Sequence, residues 1–187
     1  IFLTAFSGLF LAGIIDVVAQ TRLVINFLDS SYSKKFNSII PPAVHPDSIY
    51  ASRSLNKMLA SFYDAGYLAA SVDSIAGDRD TLQAFVTTGE QYKWRKMRNG
   101  NLDEGMLTEA GFREKLYDNK PLRPSGISKL NKKILGYCEN HGYPFASVQY
   151  RNFQFEGKLV TAEVFLSAGP KITIDSVLLK GNTKVSK

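Results

Sequence analysis

The residues that could do chemistry are few and scattered. His45 and His141 are the only histidines and Cys138 the only cysteine. General acid–base work needs a titratable group set against a partner, and a metal site needs several ligands converging on one point. Neither pattern is visible in the sequence. Asp73, Asp78 and Asp80 are the closest-spaced carboxylates. They straddle Gly77-Asp78, where a tight turn uses Gly and Asp for backbone reasons, and a calcium loop is the weaker reading. No nucleophile elbow, phosphate loop or dinucleotide glycine pattern occurs. The chemistry therefore reads as no enzyme, no cofactor and no metal.

One segment points elsewhere. Lys93-Trp94-Arg95-Lys96-Met97-Arg98 interleaves cations with an aromatic, as a strand that tracks phosphate and stacks bases would. The repeat described below sets Trp94 opposite Ile174 and Met97 opposite Val177, so both are core positions and the basic residues form a solvated face. Nucleic acid is not expected as a partner. The chain of 187 residues has a net charge of +6, 44% hydrophobic and 12% aromatic residues, a composition that folds and favours anionic surfaces without specifying one. With one cysteine there is no disulfide framework.

Residues 1–19 are almost wholly apolar, and Val17-Val18-Ala19 places permitted residues before Gln20, as a secretory leader does at its cleavage site. Asp16 and the short run argue against a membrane span of about 20 apolar residues. The exported chain is expected to begin within two residues of Gln20.

An internal repeat organises the remainder. Residues 55–72, LNKMLASFYDAGYLAASV, align without gaps on residues 131–148, NKKILGYCENHGYPFASV, with seven identities in eighteen positions. About one is expected by chance composition. Leu55, Met58, Leu59 and Phe62 form one helical stripe, Leu130, Ile134, Tyr137 and Cys138 the other, and Gly66 and Gly142 stand at the left-handed stops. After each Gly-Tyr an extended run, residues 69–76 or 145–155, turns at Gly77-Asp78 or Glu156-Gly157 into a return strand of alternating polarity.

Upstream, Leu23, Ile25 and Phe27 alternate as a strand, and Tyr32, Phe36, Ile39 and Ile40 have helical spacing ended by Pro41-Pro42. In the second copy Tyr92 and Trp94 open the strand, while Phe112 and Leu116 are placed on the next helix, closed by Pro121. Each unit reads strand, helix, helix, strand, strand, an α+β layer pair small but able to fold. The units span residues 20–90 and 91–170. A third opens at residues 171–187, where Ile172, Ile174, Val177 and Leu179 lead to Gly181-Asn182 as the earlier strand leads to Gly100-Asn101.

The motifs GYLAASV at 66–72 and GYPFASV at 142–148, each after an amphipathic helix, resemble the POTRA (polypeptide-transport-associated) repeat of the outer-membrane-protein-85 superfamily. AGP at 168–170 followed by KITIDSVLLKGNTKVS supports the resemblance. Two departures stand out: Asp29-Ser30-Ser31 replaces Gly-Asn in the first unit, and Glu90 replaces a turn proline. The resemblance implies tandem β-α-α-β-β repeats, each a three-stranded mixed sheet under two helices, on the periplasmic face of the bacterial outer membrane ahead of a C-terminal barrel. It implies an assembly and insertion factor for β-barrel proteins, with unfolded outer-membrane proteins or peptides and accessory lipoproteins as partners. Alternatives are the recognition module of a two-partner secretion transporter and an exported structural or adhesion protein.

The implied strand order puts the last strand of each unit in the middle and leaves the strand after Gly-Tyr at an edge. Ala146, Ser147, Val148, Gln149 and Tyr150, with their counterparts Ala70, Ser71, Val72, Asp73 and Ser74, would expose unpaired main chain to which an extended client can add. Proline at Ser147 or Gln149 is expected to remove an edge donor or distort the strand, and so to weaken peptide binding.

Overall fold

The computed structural model describes residues 20–29, 36–78, 80–173 and 175–176. Its two sheets are built by one rule. The first runs β2-β1-β4-β3, from β1 (Thr21–Phe27), β2 (Val44–His45), β3 (Ser71–Gly77) and β4 (Thr81–Thr87); the second runs β5-β7-β6, from β5 (Lys93–Arg98), β6 (Ser147–Glu156) and β7 (Leu159–Ser167). In each, the last strand is central, parallel to the first strand and antiparallel to its hairpin partner. The α+β class and the strand order match the expectation. The first sheet also holds a strand that periodicity could not show, because β2 is only two residues long.

Helix α1 (Ser48–Asp64) starts where the Asp47 side chain accepts from the Tyr50 N–H at 2.8 Å. It buries Ala51, Leu55, Met58 and Phe62, spaced four, three and four residues apart, which puts one stripe on the sheet. It ends at Ala65, followed by Gly66 at φ +93°. Helix α3 (Pro124–Asn140) begins with proline at its first position, where the missing N–H costs nothing, and buries Leu130, Ile134 and Cys138. Gly142 follows its end at φ +88°.

The first core closes on aromatic edges. Phe36 meets Phe62 and Tyr67 at centroid distances of 5.2 and 5.1 Å, nearly perpendicular in both cases. In the second core Trp94 and Met97 are buried with Ile134, Val160 and Val164, so the aromatic of the basic strand is unavailable for base stacking. The flanking cations are engaged in part: Arg95 pairs with Glu156, and Lys96 lies 3.3 Å from Glu114.

Two local expectations need correction. Phe112 and Leu116 are not on one helix: α2 (Glu104–Ala110) stops at left-handed Gly111, Phe112 follows it, and Leu116 ends a 3-10 turn over Glu114–Leu116. Glycine at a helix end terminates more strongly than apolar spacing extends. Of the helix expected around Tyr32, Phe36, Ile39 and Ile40, only 36–40 lie within the described residues, and there Ile39 and Ile40 N–H both donate to the Phe36 carbonyl in a turn. The apolar leader, Tyr32, and Ile174, Val177, Leu179 and Gly181-Asn182 lie outside the described residues. Among the described residues no helix is long and apolar enough to cross a membrane.

Candidate functional site

A β-sheet edge is a row of main-chain donors and acceptors that needs pairing, covering or blunting. Both sheets cover one edge with local chain. Strand β1 is lined by β2 through Thr21↔His45 and Arg22↔Val44, and Leu23 N–H donates to the Ala43 carbonyl at 2.7 Å. Strand β5 is lined by the loop after the 3-10 turn: Trp94 N–H donates to Lys120 O at 2.8 Å, Asn119 N–H to Trp94 O at 2.9 Å, and Leu122 N–H to Tyr92 O at 2.9 Å. The opposite edges, β3 and β6, have no paired strand among the described residues.

The bonding phase of β6 follows from its neighbour. Asn101 Oδ1 accepts from Leu166 N–H at 2.7 Å and its Nδ2 donates to Leu166 O at 2.8 Å, while Lys93 N–H donates to Lys158 O at 2.9 Å. Even-numbered residues of β7 therefore turn their main chain toward β5, and odd-numbered ones toward β6. The β6 partners of those odd residues are Ser147, Gln149, Arg151, Gln154 and Glu156. Val148 and Tyr150 are left with N–H and C=O directed outward. The expected edge donors are thus one residue out of phase, and proline at Ser147 or Gln149 would act by distorting the strand. Hydrophobic alternation fixes which face a side chain takes, whereas donor direction is fixed by the partner strand.

The same argument sets the phase of β3. Arg22 N–H donates to Asp80 O at 2.8 Å and Leu28 N–H to Val86 O at 2.9 Å, so even residues of β4 face β1. Ser71, Ser74 and Ala76 then bond inward, and Val72, Ile75 and Gly77 face out. Val72 and Ile75 are three residues apart because the register slips between Val72 and Ser74. The extra residue is Asp73. Its carboxylate accepts from Ser71 Oγ and Thr87 Oγ1, both at 2.6 Å, and these hydroxyls hold it below the usual Asp range. Strand β6 has its own slip, between Arg151 and Gln154, with Asn152 at φ +55° and its side chain bonded to Glu163.

Side chains differ along the β6 edge. Tyr150 donates from its hydroxyl to Asn131 Oδ1 on α3 at 2.8 Å, and burial, with Tyr117 nearby, pushes its pKa up to about 12. The Arg151 guanidinium lies 3.6 Å from the Phe165 ring centroid on the sheet's other face. Beyond the slip, Phe153 and Phe155 stack with centroids 6.3 Å apart and are 51% and 64% exposed, unusual for aromatics not engaged by a partner. Of the sequence-picked residues, 147–150 lie in β6 and 71–74 in β3; Ala146 and Ala70 precede the strands, and Ala70 is buried with its carbonyl accepting from the Tyr63 hydroxyl at 2.9 Å. Sequence reasoning missed Asn152 and the pinning role of Asp73. An Asn before an aromatic pair and an Asp beside Ser and Thr were the available signals, since both residues tolerate or stabilise local departures from a ladder.

Other reactive groups are structural. Cys138 is buried and free, its thiol pushed up chiefly by burial. His45 is buried, with Nδ1 3.5 Å from Ser54 Oγ, and its Nε2 has no partner among the described residues. His141 stacks on Tyr137 at 4.0 Å. Among the described residues no three His, Cys, Asp or Glu side chains gather as metal ligands would.

No protein-family profile and no curated protein matches the chain. Solved structures do. POTRA domains 3–5 of Haemophilus influenzae BamA superpose with a TM-score of 0.57 at 19% identity, covering 89% of this chain and 74% of that one. BamA of Haemophilus ducreyi lacking POTRA domains 1–3 superposes with a TM-score of 0.52 at 14% identity over 80% of this chain, which spans only 29% of that structure. The chain, with its central last strand in each sheet, thus has the fold of these POTRA domains.

Proposed function

We propose that these repeats are periplasmic polypeptide-binding modules of a factor that assembles and inserts outer-membrane β-barrel proteins. Unfolded clients or partner proteins, accessory lipoproteins among them, add as an extra strand to the open edge of β6 and, more weakly, of β3. The reading divides the chain into a leader at 1–19, repeats at 20–90 and 91–170, and a third opening at 171, ahead of a membrane barrel. It assigns the repeats no catalytic step, cofactor or nucleic acid.

One observation supports the reading: among the described residues each sheet has one edge sealed by its own chain and the other left open, in matching places. Main-chain bonds suit a receptor for many sequences, because every client offers the same N–H and C=O groups. Barrel proteins consist of strands of roughly ten residues with alternating polarity, the shape such an edge accepts. Titration of isotope-labelled chain with alternating-pattern peptides tests it. Amide shifts should concentrate on residues 147–151, and shifts confined to α1 and α3 would exclude strand addition.

A further inference from the structure

The glycine of each Gly-Tyr motif does more than end a helix. At the first junction Tyr92 N–H donates to the Gly66 carbonyl at 2.8 Å, and Gln91 Nε2 donates to the Ala65 carbonyl at 2.7 Å. Tyr92 immediately precedes β5, so the chain entering the second sheet is tied to the helix end of the first unit. The approach is close: a Cβ on Gly66 would stand 2.8 Å from Tyr92 O and 3.2 Å from Pro121 Cβ. Two residues earlier, the Asp64 carboxylate accepts from Ser125 N–H at 3.0 Å in the first turn of α3. Helix α3 has no cap of its own, since Arg123 at its N-cap makes no side-chain bond there. A residue of the first unit caps a helix of the second.

The arrangement occurs twice. At the second junction Ile172 N–H donates to the Gly142 carbonyl at 2.7 Å, and a Cβ on Gly142 would lie 3.0 Å from Ile172 O. Gly89 and Gly169, both at positive φ, pass Ala69 and Phe145 at matching points, where an added Cβ would lie 3.3 Å from the nearest atom. Two junctions with different side chains and the same main-chain bond indicate a built contact.

We propose that the carbonyl of each Gly-Tyr glycine is an intramolecular docking site, its occupant being the main chain that enters the following repeat, and that Asp64 is a positioning residue that fixes α3 on the preceding unit. The latch holds the open edges of β3 and β6 in one relative orientation, because a main-chain bond and a helix cap at separate points restrain rotation about the short connection. Asn140 stands where Asp64 stands in the first copy and offers the same acceptor chemistry to a further unit.

Residual dipolar couplings of the isotope-labelled chain test this, since they report whether two units share one alignment tensor. The unaltered chain should fit a single tensor across both sheets. Gly66→Ala should require two tensors while couplings within each sheet persist, and Asp64→Ala should separate the tensors less. Asp64→Asn, which keeps an acceptor, should restore the common tensor. A glycine acting only at the end of α1 would shift amides near Ala65 and leave the tensor common, a result that would overturn the proposal, as would two tensors in the unaltered chain. If Gly66→Ala does not fold, the Asp64→Ala, Gln91→Ala double variant decides, and a common tensor in it is equally fatal.

Discussion

Strand β6 and strand β3 occupy matching places in the two repeats, yet they offer a guest different things. On β6, before its slip, the outward groups belong to Val148 and Tyr150, two residues apart, the interval at which a regular strand bonds. On β3 they belong to Val72, Ile75 and Gly77, and the first two are three apart because Asp73 is inserted and pinned. A straight guest would bond Val148 and Tyr150 of β6 in register, but not Val72 together with Ile75 of β3. The surroundings diverge too: residues 91–170 carry 13 Lys and Arg against 8 Asp and Glu, whereas residues 20–90 carry 6 against 7. Duplication preserved the open edge and changed its register and charge. A bulge on an exposed strand is a common protection against unwanted pairing, and it falls at 72–75 in the first repeat but beyond 148–150, between Arg151 and Gln154, in the second.

The comparison can be broken at its foundations by removing matched core residues. Met58 and Ile134 are equivalent in the repeat, and both are buried. Met58→Ala and Ile134→Ala should each cost about 2–5 kcal/mol. Trp94 is the only tryptophan and lies in the second core, so its fluorescence follows that unit while far-ultraviolet dichroism follows both. Urea curves should show Ile134→Ala moving the fluorescence midpoint and Met58→Ala moving mainly the dichroism. Equal movement of both signals in both variants would mean the repeats unfold as one body.

A smaller effect separates the two phases of β6. Val148→Pro removes an outward donor and leaves the ladder to β7 in place, so peptide affinity should fall by about 1 kcal/mol, several-fold. Gln149→Pro removes an inward donor, so it should lower the denaturation midpoint more than Val148→Pro does. Calorimetric titration beside urea denaturation distinguishes the two, and the reverse ranking would show the assigned phase to be wrong.

The smallest effect concerns the guard on β3. Asp73→Ala should leave the denaturation midpoint nearly unchanged while peptide-induced amide shifts appear at residues 71–76. Acid should act alike. The Ser71 and Thr87 hydroxyls depress the Asp73 pKa, so its contribution is complete above the ordinary carboxylate value near 4 and is lost as pH falls through the lower folded value. Peptide shifts on β3 that grow on acidification below about pH 4 are the expected sign.

Much of this was legible in the chain. The spacing of Leu55, Met58 and Phe62, and of Leu130, Ile134 and Cys138, placed both long helices because burial of one stripe dominates their stability. Gly66 and Gly142 marked the helix ends through their positive φ. The open edges followed from the repeat and its family resemblance. What remained hidden depends on contacts distant in sequence. Strand β2 exists because Val44 and His45 meet Arg22 and Thr21, and two residues carry no periodicity. The helix end at Gly111 was passed over because Phe112 and Leu116 are four apart, an interval a 3-10 turn can also supply. The outward phase of β6 is set by Asn101 and Lys93 through β7, about fifty residues away.

Cys138 gives the second repeat a clock. Its sulfur is sealed within the core, and no other thiol exists in the chain. A maleimide reaches the buried sulfur when the second unit opens, so the labelling rate of the native chain counts the openings of that one unit. Compared with and without a bound peptide, the rate tells whether a guest strand at the edge slows the breathing of the helix packed behind it.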